Sequence, residues 1–448
     1  MSNFLIKNIT IVNEGQSFTG HVWIKKERIF KISRETQIPD TPPGTIIING
    51  HRKILIPGVI DDQVHFRDPG FTHKGDLYTE PKAAVAGGIT SFMEMPNTDP
   101  QTTTNELLDK KLKAASKTSL ANFTFYLGAT NDNLAELQNI DREKACGIKV
   151  FMGASTGNML VDNPRALAGI FSIPNVRIAV HCEDEATIKA NLEEYIEKFG
   201  ENIPIEYHPK IRSTEACYKS SGFAVSLAKK YNTNLHIIHI STAKELDLLE
   251  TGIPHDKKKI TSEVCIHHLW FEESDYEDKG TLIKWNPAIK TAIDREALIK
   301  AVIDDKIDII ATDHAPHTLE EKDNPYLKSP SGGPMVQHSL PVMLEFYHRN
   351  QIPLEKIVKK MCHAPADIFK VLDRGYIREG YFADLVIIDP NDPWTVNKKN
   401  ILYKCGWSPL EGTTLKSRIT HTFVNGHLAF DNGIFNESKK GKPLEFYT

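Results

Sequence analysis

Long apolar runs are absent from this 448-residue chain, in which no stretch reaches the roughly 18 consecutive apolar residues of a membrane-spanning helix. A secretory pattern is absent too. Polar and apolar side chains alternate between Met1 and Glu14, where a signal would need a charged start and an apolar block. We therefore expect a cytoplasmic protein.

Blocks of like charge are also missing. The 54 Lys and Arg residues against 58 Asp and Glu residues give a formal net charge of −4. This balance lacks the basic footprint of a nucleic-acid binder or a polybasic membrane anchor. The composition, with a hydrophobic share of 40%, excludes the disordered, collagen-like and coiled-coil classes. A small molecule is the expected partner.

Cysteine is scarce and forms no C-x-x-C pair, the spacing used by many metal and redox sites. In a chain of this size, buried thiols are a simpler interpretation than a disulfide framework. The six positions are Cys146, Cys182, Cys217, Cys265, Cys362 and Cys405.

Eight apolar, strand-like runs fill the middle of the chain, and helix-like segments such as 105–117, 214–231 and 294–304 follow most of them. Near-continuous apolar strands that alternate with helices indicate a parallel sheet, and eight such units close a (β/α)₈ TIM-like barrel. We place this barrel at residues 57–375. The runs are Gly58–Phe66, Ile89–Met95, Phe123–Gly128, Gly147–Met152, Arg177–His181, Leu235–Ile240, Ile260–Ile266 and Ile307–Thr312.

Both ends of the chain are rich in short strands instead. We expect segments 1–56 and 376–448 to pair into one small composite β-sandwich domain beside the barrel, which makes the fold class α/β. An Asn425-Gly426 pair predicts a tight turn. The predicted strands are Phe4–Val12, His21–Lys31, Thr45–Asn49, Asp384–Asp389, Thr420–Val424 and His427–Phe430.

Polar residues stand at or near the carboxyl ends of the barrel runs, where barrel enzymes place their active sites. They are His65, Asn97, Lys149, His181, His239 and Asp313. Taken singly, a strand-end histidine is more typical of a hydrogen-bonded structural residue, and a lysine of a side chain that extends to solvent. Together, three histidines and one aspartate are too many titratable groups to bury unpaired, and imidazole with carboxylate suits Zn²⁺ or a similar divalent ion.

Lys149 and Asp313 add reactive groups to this set. A buried lysine has a lowered pKa, and its neutral amine can take up CO₂ as a carbamate that is able to bridge two metals. Two metals would polarise a carbonyl and activate water, which is the chemistry of metal-assisted hydrolysis. Asp313 would accept the proton of the water and return it to a leaving nitrogen.

Six segments carry these residues. They are I-D-D-Q-V-H-F-R-D-P-G (60–70), M-P-N-T (95–98), G-I-K-V-F (147–151), V-H-C-E (180–183), H-I-I-H-I-S-T (236–242) and A-T-D-H-A-P-H (311–317). Together they resemble the dihydroorotases of pyrimidine biosynthesis, within the amidohydrolase superfamily, over nearly the whole chain. H-F-R-D-P-G and T-D-H-A-P-H are the specific segments. The resemblance implies reversible cyclisation of N-carbamoyl-L-aspartate to L-dihydroorotate at a zinc centre.

The resemblance also implies roles for single residues. The implied cofactor is Zn²⁺, two ions per chain, bridged by carboxylated Lys149. The matching ligand positions are Gln63, His65, Lys149, His181, His239 and Asp313, and Asp313 also matches the catalytic acid and base. Arg67, Asn97 and His317 match the site for the substrate carboxylate, where a guanidinium offers a bidentate fork.

Two positions depart from the family pattern. The family carries His-x-His on its first strand, whereas Gln63 here provides a neutral amide that binds Zn²⁺ more weakly than imidazole. Lys290 stands where the family commonly has Arg, so it keeps the charge at the expected substrate site but loses the bidentate fork. Nearby, Gly332 and Gly333 offer bare backbone to the amide edge of a flat ring, although an ordinary surface turn fits equally well.

Two alternatives to a dihydroorotase stay open from sequence. A hydantoinase or allantoinase would share the metal motifs, but a neutral hydantoin ring has no need of Arg67. A catalytically silent scaffold subunit for aspartate transcarbamoylase is suggested by Gln63, although the retained Lys149, His181, His239, Asp313 and Arg67 weigh against it. Expected partners are the small-molecule substrate, further copies of the chain and, as another option, aspartate transcarbamoylase. Neither nucleic acid nor membrane is expected.

Overall fold

The computed structural model of the protein describes residues 3–34, 41–153 and 159–447. Two large sheets and their helices account for most of these residues. The strands are β1 (Phe4–Asn13), β2 (Gln16–Lys25), β3 (Arg28–Ser33), β4 (Ile46–Asn49), β5 (Ile54–Pro57), β6 (Val59–Val64), β7 (Ile89–Glu94), β8 (Asn122–Gly128), β9 (Ala145–Phe151), β10 (Arg177–His181), β11 (Asn234–Ile237), β12 (Ile260–Cys265), β13 (Ile309–Ala311), β14 (Leu385–Asp389), β15 (Trp394–Thr395), β16 (Thr414–Leu415), β17 (Arg418–Val424), β18 (His427–Asp431) and β19 (Ile434–Phe435).

Helices follow most of the central strands, and a π-helical turn at Lys359–His363 joins the last two. They are α1 (Thr79–Ala86), α2 (Asn105–Thr118), α3 (Leu134–Gln138), α4 (Pro164–Phe171), α5 (Glu185–Phe199), α6 (His208–Ile211), α7 (Thr214–Tyr231), α8 (Ile266–Trp270), α9 (Tyr276–Lys279), α10 (Ala292–Ile303), α11 (Leu319–Lys322), α12 (Ser339–His348), α13 (Leu354–Val358) and α14 (Ala364–Ile368). Among the described residues, none of these helices combines the length and apolarity required to cross a membrane.

The central sheet is a parallel barrel. Strands β6 to β13 pair in sequence order, and the ring is closed where Val64 pairs in parallel with His314, with the amide of His65 donating to the carbonyl of His314 at 2.7 Å. Most of these strands are buried along their whole length, as expected when helices cover the outside of a parallel sheet. Each of the eight predicted runs contains or overlaps one of these strands, so the predicted (β/α)₈ fold is confirmed.

The helices begin where local side chains satisfy their free amides. Thr104 accepts from the amide of Leu107 at the start of α2, and Ser213 accepts from that of Ala216 at the start of α7. Such caps stabilise a helix start by about 1 kcal/mol each. The helices predicted at 105–117, 214–231 and 294–304 are α2, α7 and α10.

Both ends of the chain form the second sheet, which runs β19-β18-β17-β14-β5-β1-β2-β3 with β4 beside β1. The two ends meet where β5 pairs antiparallel with β14. One predicted strand was wrong, because His21–Lys31 spans parts of β2 and β3, which are separated by a turn with Lys26 at φ 58°. The predicted turn at Asn425-Gly426 is present, with φ of 50° and 70°, and both residues have the positive φ of a type I′ turn.

The C-terminal part of the chain also contacts the barrel. Between β14 and β17 it leaves the sheet, and the indole of Trp407 donates to the carbonyl of His317 at 2.7 Å. Near the terminus, the amide of Phe123 in β8 donates to the carbonyl of Lys442 at 3.0 Å. The six cysteines are free thiols, of which five are buried and Cys405 is partly exposed.

Candidate active site

A cleft of ≈ 390 Å³ opens at the carboxyl ends of the barrel strands. This is the end at which barrel enzymes carry their active sites. Seven of the residues singled out by the sequence line it, namely Gln63, His65, Arg67, Lys149, His181, His239 and Asp313. They come from β6, β9 and β10 or from the residues that directly follow β6, β11 and β13.

Three of these residues have a left-handed backbone. The φ angles are 71° at Arg67, 41° at His239 and 43° at Asp313. Such angles cost non-glycine residues of order 1–3 kcal/mol and persist where the surrounding structure enforces them, commonly at functional sites. Each of the three lies just beyond a strand, so the strained turn directs its side chain into the cleft.

Lys149, His181 and His239 form one half of the site. The amine of Lys149 is fully buried and has no hydrogen-bond partner in the described part of the chain, and burial lowers its pKa to about 7. Nδ1 of His181 and Nε2 of His239 are 2.9 Å apart, and burial lowers the pKa of both imidazoles, which keeps them neutral. On the far side of His181, Nε2 lies 3.1 Å from Glu183, which also pairs with Arg212.

This half fits a divalent cation. Two nitrogen ligands of one tetrahedral zinc would lie roughly 3.3 Å apart, close to the observed separation of the two imidazole nitrogens. A carboxylate behind a ligating histidine is the usual support of such a ligand, and Glu183 has that position behind His181. The unpartnered amine of Lys149 is the third group of this half.

His65, Asp313 and Gln63 form the other half. Nδ1 of His65 lies 2.8 Å from Oδ1 of Asn97, and Nε2 lies 3.2 Å from Oδ1 of Asp313. The amide nitrogen of Gln63 donates to the same Asp313 oxygen at 3.1 Å. In this arrangement the amide nitrogen of Gln63, and not its oxygen, faces Asp313.

A cationic corner lies at the edge of the cleft. Nε of Arg67 donates to the carbonyl of Pro316 at 3.1 Å, and Nη2 lies 3.1 Å from Nε2 of His317. The amine of Lys74 reaches the other nitrogen of His317 at 3.0 Å and pairs with Glu321 at 2.9 Å. Burial lowers the pKa of Arg67 to about 10, so its guanidinium keeps its charge at neutral pH.

Four expected substrate contacts lie outside the lining of the cleft. Asn97 is behind His65, and His317 is behind Arg67. The amine of Lys290 donates to the carbonyl of Ala288 at 3.0 Å. Gly333 packs under an indole, since a Cβ there would lie 2.7 Å from the ring of Trp285.

Several lining residues were not found from the sequence. Phe151, Trp285, Asn286 and Ser331 line the cleft, next to Gly332, which the sequence had singled out. Aromatic and amide side chains carry no motif by themselves, and only their closeness to the segments 147–151 and 329–334 gives a signal. His267 stacks on Trp285 with ring centroids 4.3 Å apart.

A buried polar layer lies directly below the cleft. Nε2 of His236 is 3.2 Å from a carboxylate oxygen of Asp62 and 3.2 Å from one of Glu263, and all three side chains are inaccessible to solvent. Burial and the adjacent Asp62 raise the pKa of Glu263. Glu263 also accepts from the amide of His239 at 3.2 Å, so this layer supports the strained turn that carries a candidate ligand.

Known proteins resemble the chain over almost its full length. Residues 54–429 match the model of the amidohydrolase family. A dihydroorotase of Methanosphaera stadtmanae is 31% identical over 98% of this chain and 99% of its own, and one of Pyrococcus furiosus is 33% identical over 96% and 93%. Among solved structures, an L-hydantoinase (dihydropyrimidinase) of Arthrobacter aurescens superposes with a TM-score of 0.91 at 25% identity, covering 97% of this chain and 98% of its own.

Proposed function

The chain belongs to the amidohydrolase family, and from that premise we propose that it is a dihydroorotase, which interconverts N-carbamoyl-L-aspartate and L-dihydroorotate. It is a hydrolase of the cyclic amidohydrolase type. The observation that carries the finer assignment is Arg67, a buried guanidinium that lines the same cleft as Lys149, His181, His239 and Asp313.

The cationic corner supports a substrate that bears a carboxylate. The contacts of Arg67 with Pro316 and His317 hold the guanidinium in place, and a carboxylate in the cleft would receive charge-assisted hydrogen bonds from it. Asn97 and His317 act in this proposal by orienting His65 and Arg67. Lys290 would add positive potential from behind the site rather than a direct contact.

A divalent cation, which we propose to be zinc, fits Lys149, His181 and His239. It would supply Lewis-acid polarisation of the amide carbonyl. The free amine of Lys149, with a pKa of about 7, is a suitable acceptor for CO₂, and carboxylation would make it an oxygen ligand.

Asp313 carries the proton in the proposed reaction. In ring opening, its carboxylate accepts a proton from the attacking water and delivers it to the ring nitrogen as the amide bond breaks. In cyclisation the same carboxylate takes the proton from the attacking nitrogen and delivers it to the oxygen that leaves the carboxyl carbon as water. Its contacts with Gln63 and His65 keep one oxygen fixed while the group faces the cleft.

Hydantoin hydrolysis is the second candidate activity, because the superposed L-hydantoinase structure shares the whole architecture. The two candidate activities differ in whether the substrate carries a carboxylate that Arg67 could bind. A hydantoin or dihydrouracil ring has no carboxylate for this residue to bind. The small-molecule substrate follows from either activity, whereas self-association and association with aspartate transcarbamoylase stay predictions.

The test is ring opening by the purified protein supplied with Zn²⁺. We expect turnover of dihydroorotate, and we expect Arg67→Gln to lower kcat/KM for it by about 10- to 100-fold through a higher KM, since a hydrogen bond to a charged group contributes roughly 1.5–3 kcal/mol. Arg52→Gln, at an exposed position, is the matched control. Turnover of hydantoin or dihydrouracil alone, unaffected by Arg67→Gln, would refute the dihydroorotase assignment.

A further inference from the structure

The two halves of the site differ in how many of their polar atoms are already engaged. On one side, the amine of Lys149 has no hydrogen-bond partner among the described residues, and Nδ1 of His181 and Nε2 of His239 face each other. On the other side, one oxygen of Asp313 already faces both His65 and Gln63. A cation therefore meets an unengaged amine and two facing imidazole nitrogens in the first half, and an Asp313 oxygen already shared by two side chains in the second.

The side chain of Gln63 is held at both of its ends. Its Nε2 donates to Asp313 at 3.1 Å, and its Oε1 lies 3.4 Å from Sγ of Cys265. The thiol of Cys265 is the donor in this second contact, and the oxygen of Gln63 is the acceptor. The residue is only 1% exposed, so solvent has little access to these two contacts.

The orientation of this amide follows from what each neighbour can do. A carboxylate only accepts hydrogen bonds, so the NH₂ group must face Asp313. The reversed amide would aim its nitrogen at a thiol, which is a weak acceptor, and set its oxygen against the carboxylate oxygen. The backbone limits any shift of the side chain as well, because the amide of Gln63 donates to Asp61 at 3.2 Å.

We propose that this centre holds one tightly bound divalent cation, on Lys149, His181 and His239, and that Gln63, oriented by Cys265, is a positioning residue that holds Asp313 by a hydrogen bond. The amide nitrogen of Gln63 has no available lone pair and cannot bind a metal. It is hydrogen-bonded to the oxygen of Asp313 at the position where a second ion would have bound. The proposal rests on the proposed function only in assuming a metal centre. It replaces the two ions that the family resemblance implies.

Metal content of the full chain tests this without any activity measurement. The protein is loaded with Zn²⁺, passed over a desalting column with a weak chelator and analysed by elemental mass spectrometry. We expect about one ion per chain for the wild type and about two for Gln63→His, which restores an imidazole. Gln351→His, at an exposed position outside the site, controls for the added histidine and should stay at one.

The cobalt-substituted wild type gives a second measurement that needs no variant to fold. One isolated high-spin Co²⁺ signal by electron paramagnetic resonance is expected. A coupled cobalt pair, or two tightly held zinc ions in the wild type, would overturn the proposal and leave the dihydroorotase assignment intact. Fewer than half an ion per chain after loading, together with no turnover of dihydroorotate, would instead contradict the metal-dependent function itself and favour a silent scaffold.

Discussion

Asp313 is the side chain on which the proposed proton transfer depends. Its backbone is strained at φ 43°, and one of its oxygens is held by Gln63 and faces His65. These contacts fix the carboxylate without satisfying it fully. The free oxygen is therefore available to the reacting water.

Asp313→Asn should separate proton transfer from metal binding. The change keeps an oxygen and the shape of the side chain but removes the base, so we expect turnover to fall by about 10²- to 10⁴-fold or more while metal content stays near the wild-type value. Steady-state ring opening and elemental analysis of the same preparation would measure both quantities. A variant with a near-normal rate would remove Asp313 from the role of acid and base.

Single positions were predictable from sequence to an unequal degree. His65, Lys149, His181, His239 and Asp313 could be named because each lies within, at the end of or just after a strand-like run, and they do line one cleft. The indirect positions of Asn97, His317 and Lys290 could not be predicted, because a motif gives the residue type and not the direction of its side chain. For the same reason, the hydrogen bond between Cys265 and Gln63, which are 202 positions apart, could not be predicted from the sequence.

An ion pair between Glu183 and Arg212 joins the end of β10 to the α6–α7 junction. Glu183 follows β10, and Arg212 lies between the two helices. Burial opposes ionisation of Glu183, but Arg212 and His181 outweigh it and lower the pKa of the carboxyl from 4.5 to about 2. The ionised pair thus ties a strand end at the site to the outer helices.

Glu183→Gln should destabilise the protein in a pH-dependent way. Because the folded pKa is lower than the unfolded one, the stabilisation is fully present above about pH 4.5 and is lost as the pH falls toward 2. At neutral pH we expect a loss of about 3 kcal/mol. Thermal unfolding followed by circular dichroism at several pH values would show a gap from the wild type that narrows on acidification. A gap that is constant with pH, or no larger than that of the exposed control Glu201→Gln, would refute the assignment.

The loop 329–334 and helix α7 contain glycines with opposite expected effects on substitution. A Cβ at Gly333 would lie 2.7 Å from Trp285, whereas the nearest atom to one at Gly222 is 4.0 Å away. Gly333→Ala should cost about 1–3 kcal/mol through overpacking, and Gly222→Ala should stabilise α7 by about 0.5–1 kcal/mol. Denaturant midpoints of the two variants measure this directly. Equal midpoints for the two variants would show that the ring of Trp285 moves aside without loss of stability and would refute the overpacking argument.

The barrel strands were predictable because nearly all their residues are buried. Strands buried on both faces appear in the sequence as continuous apolar runs. The end strands were harder. Lys26 forms the turn between β2 and β3 without a glycine or asparagine, so the turn left no signal in the sequence. The crossing of the 394–417 segment onto the barrel is a long-range contact, and local pattern carries no information about it.

The polar side chains that line the site come from distant parts of the chain. Gln63, Lys149 and His181 lie within strands, while His65, His239 and Asp313 directly follow them, so five of the eight barrel strands contribute to the site. No such arrangement exists in the unfolded chain. A cation bound there should therefore stabilise the closed barrel as a whole.

Metal removal should lower the melting temperature of the entire protein. An ion present at about 100 times its dissociation constant adds roughly 2.7 kcal/mol of stability when the unfolded chain does not bind it. We expect calorimetry to show a lower Tm after chelation, restored by Zn²⁺, because the three proposed ligands lie on or just after the neighbouring strands β9, β10 and β11 and come together only in the folded barrel. His239→Ala removes one of the three proposed ligands. We expect the melting temperature of this variant not to respond to Zn²⁺. If chelation leaves the wild-type Tm unchanged, or the variant responds equally, the ion is not held by these residues.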